Sequence, residues 1–447
     1  MKKTHSFILV LTALVLFLSG CAGFQTSNNS NSTNNNENNN TEENSEGKTV
    51  IDFWTFWGSE IRRPIIEKII ADFNESQDEI EVKHTFLPFG DIWTKELASI
   101  AAGDPPDVVI NDINATALRG QKKQAMNLSQ FLEQDDISNR FYPELWDATL
   151  YEGDSYGIPF NTDTRVLFYN KDAFEEAGLD PEQPPTTWAE LEEYAAKLDK
   201  KSGNDYERIG FYPLWGIGYD VWLLNANGQN YFDKENNVQI DTAKNEEVLN
   251  WLKTWKDRYG DKVVNSYQAQ IDSQQGHPFF SGDLAMIAQA PTFYTQIRDY
   301  AEDLNFGVVE LPEYEEGNGH TSWGGGFVAE IPEGSKNAEE AWEFIKYLTD
   351  VEAQTYWAVQ NFDNVANVEA AEAASQSSEF TEDGSMVYQK AVENMEQTLL
   401  TPIPVVAPDF SSLINPNVDQ FFLGSMTAKE ALEKSQKDVE NLIKKNQ

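Results

Sequence analysis

Histidine and cysteine, the side chains most often used in catalysis and in metal sites, are scarce in this sequence. The chain has four histidines and one cysteine in 447 residues. His84, His277 and His320 lack the spacing of metal ligands, and the segment 320–324 has histidine where a nucleophile elbow requires glycine. The segment 216–218 lacks the third glycine of a dinucleotide fingerprint. We therefore expect no catalytic residues, no metal and no cofactor.

Tryptophan, by contrast, is abundant, with twelve residues. Four of them fall on helical faces and are expected in the core: Trp188, Trp251, Trp255 and Trp342. Seven more lie at predicted strand ends or in loops: Trp54, Trp57, Trp93, Trp215, Trp222, Trp323 and Trp357. In an open α/β sheet the carboxyl ends of the strands face the binding crevice. Because aromatic faces suit the apolar faces of sugar rings, and carboxylates and amides suit their hydroxyls, this pattern favours a carbohydrate site.

The elements that must position these residues alternate between strand and helix from Thr49 onward. Strands are predicted at Thr49–Phe56, Ile80–Leu87, Asp107–Asn111, Val166–Asn170, Leu284–Ala288, Asn305–Leu311 and Phe327–Ile331. The first helix is predicted to bury Ile61, Ile65, Ile66, Ile69, Ile70 and Phe73. Asp91 is predicted to cap a second helix, with Ile92, Leu97 and Ile100 inward. The alternation predicts an α/β fold with a largely parallel sheet.

Two later helices have the sequence of a capping box at their start. The pairs are Thr187 with Glu190 and Thr427 with Glu430. In such a box the threonine accepts a backbone N–H of the first turn, and the glutamate reaches back to the threonine's own N–H. Both helices are therefore expected to begin at these threonines.

The N-terminal 48 residues are predicted to be a leader and a tether. Lys2 and Lys3 precede an apolar run too short to span a bilayer, and the run ends at Leu18-Ser19-Gly20-Cys21. This end resembles the bacterial lipobox, so 1–20 is predicted to be a lipoprotein signal peptide and Cys21, the only cysteine, to be lipidated. The rest of 21–48 is rich in asparagine and almost without apolar residues, as is typical of a flexible tether.

The net charge restricts the partners. Lys and Arg number 33 against 74 Asp and Glu, which gives −41. Such a surface repels phosphate backbones and anionic headgroups, so we expect no nucleic acid and no membrane contact beyond the lipid anchor.

Several motifs, taken in order, resemble one family. They include Trp54-Thr55-Phe56-Trp57, 103–108, 156–159, 167–172, 185–191, 280–286, 323–335 and 341–350. In order and spacing these resemble the extracellular solute-binding proteins of ABC sugar importers, in the branch that binds maltose and oligosaccharides. The resemblance covers 49–447.

The resemblance implies a two-lobed α/β periplasmic-binding-protein fold of type II, with discontinuous lobes and a ligand cleft at the hinge. The chain is expected to cross the hinge near 163–165, 323–327 and 373–375. Lobe one would comprise 49–162 plus 328–372, and lobe two 166–322 plus 376–447. The implied partners are an oligosaccharide and the transmembrane permease subunits of an ABC transporter, and the protein is expected to be a monomer.

The site residues follow partly by position in the family. Asp163 falls where relatives place a sugar-binding carboxylate, and Tyr219 and Trp222 fall on an aromatic contact region. Thr292 falls where relatives often have tryptophan after Gly-Pro, and the next residue, Phe293, is expected to substitute for it. Trp323 stands beside glycines that would let a ligand approach closely. The full predicted ligand-binding set is Trp54, Trp57, Trp93, Asp112, Asn161, Asp163, Arg165, Trp215, Tyr219, Trp222, Phe293, Trp323, Gly324 and Gly325.

The sequence thus predicts a lipid-anchored substrate-binding protein on the outer face of a bacterial membrane, delivering a neutral oligosaccharide to a permease and performing no chemistry. Three alternatives stay open. An acidic, uronate-containing oligosaccharide is one, for which Arg165 or Lys95 could provide local charge. A secreted carbohydrate-active enzyme is another, since some carboxylate pair among so many could act as a glycosidase dyad. The third is a surface adhesin or sensor accessory that binds a protein.

Overall fold

The computed structural model describes residues 47–203, 205–233, 237–272 and 276–447. The predicted signal peptide, Cys21 and nearly all of the predicted tether lie outside the described residues. Within those ranges no helix combines the length and the hydropathy needed to cross a bilayer.

The described strands are, in chain order, β1 (Thr49–Thr55), β2 (Ile80–Phe86), β3 (Val108–Asp112), β4 (Leu150–Tyr151), β5 (Asp154–Ser155), β6 (Ile158–Thr162), β7 (Val166–Asn170), β8 (Lys200–Ser202), β9 (Asp205–Arg208), β10 (Met286–Gln289), β11 (Phe306–Glu310), β12 (Ser322–Trp323), β13 (Gly326–Glu330), β14 (Asn364–Val365) and β15 (Thr398–Leu399).

The described helices are α1 (Arg62–Ser76), α2 (Asp91–Ala102), α3 (Thr116–Gln121), α4 (Ser129–Leu132), α5 (Pro143–Ala148), α6 (Lys171–Glu176), α7 (Trp188–Leu198), α8 (Tyr219–Asn227), α9 (Ala243–Ile271, interrupted at Gly260), α10 (Pro278–Ser281), α11 (Tyr294–Tyr300), α12 (Ala338–Leu348), α13 (Val351–Asn361), α14 (Val368–Ser375), α15 (Glu382–Glu393), α16 (Phe410–Phe422) and α17 (Ala428–Asn446).

The larger sheet is mixed rather than largely parallel. Its strand order is β14-β6-β13-β3-β1-β2. The strands β1, β2 and β3 are parallel, as predicted. The strand β13 enters from the other half of the chain and runs antiparallel to both β3 and β6, and β14 is antiparallel to β6. The prediction of a largely parallel sheet is therefore right only for the N-terminal strands, where each crossover is a helix.

In two helices of this region, one apolar residue that was predicted to face inward is exposed. The helix α1 buries Ile65, Ile66, Ile69, Ile70 and Phe73 as expected, but Ile61 precedes the helix and is 64% exposed. In α2, Ile92 is buried and Leu97 is 40% exposed, so the predicted inward face is wrong at Leu97. Asp91 is the first residue of α2 and Gly90 is its cap, which corrects the predicted role of Asp91.

A smaller antiparallel sheet, β10-β7-β11, forms the core of the second half. The helices around it bury large aromatic side chains, and the rings of Trp188 and Trp251 stack with centroids 3.9 Å apart. The capping box at Thr427 is confirmed, since Glu430 accepts the Thr427 N–H at 2.8 Å. At Thr187 only half of the box forms, because Glu190 accepts the N–H of Thr186 instead.

Short segments join the two sheets. Residues 163–165 connect β6 of the larger sheet to β7 of the smaller one, and β12 leads to β13. Beside them β15 pairs with β12, and the Thr164 hydroxyl lies 2.6 Å from that of Thr398. Ser322 binds both the N–H and the carbonyl of Arg165. The third crossing was predicted at 373–375, and these residues form the last turn of α14. The segment 394–399 lies beside the other two crossings.

Candidate functional site

The carboxyl edge of the larger sheet collects polar and aromatic residues. Because β13 is antiparallel to β3, its first residues lie where β3 ends, and Phe327 pairs with Asp112. In the same way Gly326 pairs with Thr162 at the end of β6. This edge therefore brings Asp112, Asp163 and the glycines after Trp323 together, as expected for a crevice outside strand ends.

A cavity of about 290 Å³ lies at this edge, between it and the helices α8 and α16. Six carboxamides line it: Asn114, Asn227, Gln229, Asn230, Asn245 and Asn415. Its aromatic lining comprises Tyr219, Tyr231, Trp323 and Phe410, and its carboxylates are Asp112 and Asp220. Of the predicted ligand-binding residues, Asp112, Tyr219 and Trp323 are thus brought together in one cavity.

Hydrogen bonds between lining residues fix the walls. The Tyr219 hydroxyl donates to Asn415 Oδ1 at 2.7 Å, which joins α8 to α16. Asn227 Nδ2 donates to Asn245 Oδ1 at 2.8 Å. Asn114 Oδ1 is buried with no hydrogen-bond partner among the described residues, so a lining acceptor is left for a ligand donor.

The two carboxylates give the cavity a negative charge. Asp112 Oδ1 accepts the Asn114 N–H at 2.8 Å. Burial, and secondarily the charge of Asp163, raises the pKa of Asp112 above its ordinary value. Asp220 is exposed on the cavity side. The nearby protein nevertheless displaces water from its carboxyl group and raises its pKa, although the charge of Arg165 opposes this shift. No Lys, Arg or His occurs among the described residues that line the cavity.

Trp323 is held by its neighbours at the hinge. Its Nε1 donates to Thr401 Oγ1 at 3.0 Å, and the Arg165 guanidinium carbon lies 4.5 Å from its ring centre. Arg165 Nη1 in turn donates to Asp163 Oδ2 at 2.7 Å. The other oxygen of Asp163 accepts the Gly325 N–H at 2.7 Å. Asp163 thus joins the two crossing segments. It is not one of the described residues that line the cavity.

Two of the glycines after Trp323 serve backbone packing, which corrects for Gly324 the prediction that the run leaves room for a ligand. A Cβ on Gly324 would lie 2.5 Å from the Asp163 carbonyl oxygen. A Cβ on Gly326 would lie 2.2 Å from the Asn161 carbonyl oxygen, and its φ is +154°. A Cβ on Gly325 would lie 3.7 Å from the Trp323 ring, an ordinary van der Waals contact, so packing does not require glycine at this position. Gly324 and Gly326 are therefore required by the close approach of the strands.

Five predicted site residues are buried in the core and are corrections to the expected site: Trp57, Asn161, Trp215, Trp222 and Phe293. Trp57 packs on Trp357, with ring centroids 4.3 Å apart, and both are fully buried. The Trp222 Nε1 donates to the Pro213 carbonyl at 2.7 Å. Asn161 is used inside the fold, where it donates to Asp363 and accepts the Phe327 N–H.

Trp54 and Trp93 are half-buried and lie outside the cavity lining in the described structure. Trp54 Nε1 donates to Asp52 Oδ2 at 2.6 Å on the outer face of β1. Trp93 belongs to a separate aromatic group with Phe56 and Phe89. The sequence had predicted both as ligand-binding residues, and neither lies among the described residues that line this cavity.

None of the six carboxamides that line the cavity was among the ligand-binding residues predicted from the sequence. The run Asn225 to Asn230 follows Tyr219 closely and contains three asparagines and a glutamine, which was an available signal. Asn415 and Asn114 carried none, because they reach the cavity only through the packing of α16 and through the turn after β3.

Two sheets joined by short crossing segments, with a polar and aromatic cavity at the edge of one of them, define a two-lobed ligand-binding protein. Residues 68–386 match the family model described as bacterial extracellular solute-binding protein. The chain belongs to this family, which confirms the resemblance drawn from its motifs. Members are binding proteins, and none of the groupings of acidic, His or Cys residues in the described structure is arranged to hold a metal ion.

Relatives and solved structures agree with this assignment. The arabinooligosaccharide-binding protein of Bacillus subtilis is 24% identical over 375 residues, covering 81% of this chain and 80% of its own. The sn-glycerol-3-phosphate-binding periplasmic protein UgpB of Escherichia coli is 30% identical over 285 residues, covering 60% and 62%.

Among solved structures, CpMnBP1 with mannotriose bound is 28% identical, with a TM-score of 0.74 and coverage of 87% of this chain and 99% of its own. The sugar-binding protein MalE of Xanthomonas citri also has a TM-score of 0.74 at 21% identity, covering 89% and 98%. The predicted two-lobed fold is thereby confirmed.

Proposed function

We propose that this protein is the substrate-binding component of an ABC importer and that it binds a neutral oligosaccharide. The observation that carries the proposal is the cavity itself. Its six carboxamides and two carboxylates offer hydrogen bonds to hydroxyl groups, and Trp323 and Tyr219 offer aromatic surface to sugar rings. The name of one relative refers to arabino-oligosaccharides, and CpMnBP1 was solved with mannotriose bound, which supports this class of ligand.

The charge of the cavity favours a neutral ligand over an acidic one. Asp112 and Asp220 line it, and Arg165 is already paired with Asp163 at 2.7 Å. A phosphate or uronate would meet two carboxylates and, among the described lining residues, no cationic side chain. Like charges in a partly dehydrated site repel strongly. UgpB is named for an anionic ligand. Because carboxylates line the cavity, we expect this chain to bind a different ligand from UgpB.

The lobes are proposed to close on the ligand about the crossing segments. We take 49–162 with 328–372 as one lobe and 166–322 with 376–447 as the other. Small-angle scattering with saturating sugar should show a decreased radius of gyration, because hinge closure is a rigid-body motion of lobes joined by a few segments. A radius that stays constant at saturation would contradict closure.

The anchor completes the proposal. Lipidation of Cys21 would hold the protein at the outer face of the cell membrane, and the Asn-rich segment after it would act as the tether. The closed, sugar-loaded form would then be presented to the permease subunits, with the protein acting as a monomer.

The direct test is a binding screen with a soluble form that begins at Lys48. Mannotriose, arabinotriose and maltotriose are compared with trigalacturonate and glycerol 3-phosphate, by thermal shift and then by titration calorimetry. A ligand at 100 times its Kd raises the free energy of unfolding by about 2.7 kcal/mol. We expect a shift with at least one neutral oligosaccharide and none with the anions. Binding of an anion alone would contradict the neutral class, and release of reducing sugar would indicate an enzyme.

A further inference from the structure

An exposed aromatic surface lies beside the cavity and takes no part in its lining. It consists of Phe56, Phe89, Trp93 and Phe327, which we call the aromatic surface. Phe89 is 65% exposed, and the other three are half-buried. Phe86 and Leu97 nearby are also exposed, at 39% and 40%. Contiguous exposed apolar patches are uncommon on soluble monomers and usually mark a binding surface.

The rings of the aromatic surface hold one another in place. The centroid of Phe56 lies 4.7 Å from that of Phe327 and 5.1 Å from that of Phe89, and Phe89 lies 5.0 Å from Trp93. The contacts are edge-to-face, an arrangement that leaves the faces of the edge-on rings uncovered. Trp93 Nε1 donates to the Ile110 carbonyl at 3.3 Å, which fixes the indole to β3. The surface is therefore a rigid set of rings with faces open to a ligand.

The aromatic surface begins where the cavity ends. Phe327 pairs across the sheet with Asp112, a lining residue of the cavity. From Phe327 the surface runs along the same carboxyl edge of the sheet to Phe56 after β1 and to Phe89 after β2. A chain that leaves the cavity past Asp112 would meet these rings next.

The size of the cavity gives a reason for a ligand to leave it. Its volume of about 290 Å³ lies just below the usual range for small-molecule sites, roughly 300–1,000 Å³. A short saccharide fills such a space, and additional sugar units must extend outside. Sugar rings present flat C–H faces to aromatic rings, and the aromatic surface supplies such rings next to Asp112 at the edge of the cavity.

We propose that the aromatic surface is a second carbohydrate subsite, which stacks on the sugar units of an oligosaccharide that extend beyond the cavity. This inference rests on the proposed function and adds a preference for longer chains. It makes Phe89 the principal contact, because Phe89 is the most exposed ring of the four.

The experiment measures affinity against chain length. Manno- and arabino-oligosaccharides of two to five units are titrated by calorimetry into the wild type and into Phe89→Ala, Phe89→Leu, Trp323→Ala and Tyr300→Ala. Tyr300 is the matched control, an aromatic residue that is 46% exposed on another element, α11. Phe89→Leu keeps an apolar side chain and removes the flat face. Melting temperatures establish that each variant is folded.

We expect the wild-type affinity to rise with length. Phe89→Ala and Phe89→Leu should bind the disaccharide as the wild type does and the pentasaccharide about tenfold more weakly, the effect of about one stacking contact. Trp323→Ala should bind every length more weakly, and Tyr300→Ala should match the wild type.

Three results would contradict the inference. Wild-type affinity that does not depend on length, or Phe89 variants that match the wild type at every length, would overturn the subsite alone. If sugar affinity is unchanged in Phe89→Ala but uptake by the reconstituted importer falls, the aromatic surface docks the permease and the sugar assignment is wrong. If the wild type binds neither series, the proposed function itself fails, and the subsite fails with it.

Discussion

Arg165 lies over the ring of Trp323, with 4.5 Å between its guanidinium carbon and the ring centre, while its Nη1 binds Asp163. One side chain therefore connects an indole of the cavity wall to the carboxylate that joins the two crossing segments. A cation over an aromatic face contributes about 0.5–2 kcal/mol. The orientation of Trp323 is thus fixed from the hinge as well as by Thr401.

Replacing Trp323 by alanine should weaken oligosaccharide binding by about 1–3 kcal/mol, because a lining aromatic surface is lost. The ligand-free melting temperature should fall by only a few degrees, since the side chain is half-buried. Titration calorimetry and a melting curve measure both quantities. Thr401→Val, which removes the acceptor of the indole N–H, is the milder companion variant. Unchanged affinity with a large loss of stability would show that Trp323 is structural.

Asp163→Ala should lower the free energy of unfolding by about 1–3 kcal/mol, because the Gly325 N–H loses its acceptor and Arg165 its partner. Asp163→Asn keeps an acceptor for Gly325 and should lose less. Urea unfolding of both variants measures the difference. Equal losses in the two variants would mean that the hydrogen bond to Gly325 contributes little.

Sugar affinity should decrease as the pH falls through the pKa of Asp112. The ionised carboxylate is the stronger acceptor for hydroxyl groups, and protonation removes that advantage. Because burial raises the pKa of Asp112, the decrease should begin at a higher pH than for an ordinary aspartate. Calorimetry between pH 7 and pH 4 measures it, and Asp112→Asn should flatten the profile. Asp257→Asn, on the exposed face of α9, is the control and should leave the profile as it is.

A buried ionic cluster behind Asp112 should make stability depend on pH. Arg119 pairs with both Glu96 and Glu330, and Asn111 donates to Glu330 at 2.8 Å. All four side chains are buried. Burial raises the pKa of Glu96 to about 7, although the charge of Arg119 opposes this.

The folded state therefore holds the Glu96 proton more tightly than the unfolded state does. The associated stability is present below the ordinary pKa of 4.5 and is lost as the pH rises towards about 7. We expect the free energy of unfolding to fall over this interval by up to about 3 kcal/mol from this group. Glu96→Gln should remove that part of the slope, as urea unfolding at several pH values would show. A slope that persists in Glu96→Gln would assign it to other groups.

Arg119→Met should be strongly destabilising, by about 3–5 kcal/mol near pH 8, because two buried carboxylates lose their counter-charge. The loss should be smaller at pH 5, where the carboxyl groups can be protonated. Arg140→Met, which removes a guanidinium bonded to the Lys346 carbonyl at the surface, is the comparison variant. A loss that does not vary with pH would mean that Arg119 acts through packing alone.

Cys21→Ala should release the protein from the membrane or leave it unprocessed, because the predicted lipid attachment would be absent. Detergent-phase partitioning of cells that express each form measures this. If the variant partitions as the wild type does, Cys21 is not the anchor.

The sequence predicted the helices and strands better than it predicted the residues that line the ligand cavity. The β-branched run of β1 and the isoleucine face of α1 are local patterns, and both form as expected. Which side of an element faces the cavity is a matter of tertiary packing. On α8, Tyr219 reaches the cavity, whereas Trp222, three residues later, is fully buried.

The same limit applies to strand ends and to distant partners. Trp57 and Trp323 both adjoin strands at one sheet edge, yet the first packs on Trp357 in the core and the second lines the cavity. Tyr219 and Asn415 are 196 residues apart in sequence, so no local pattern could have paired them.

The bonds from Tyr219 to Asn415, from Asn227 to Asn245 and from Trp323 to Thr401 are made entirely between protein side chains. These side chains have given up their rotameric freedom during folding, and a sugar that arrives does not have to immobilise them again. Ordering a flexible side chain at an interface costs about 0.5–1.5 kcal/mol. The conformational entropy lost on binding should therefore come mainly from the sugar and from closure of the lobes. Conformationally stiff sugars should accordingly bind with the smallest entropic cost.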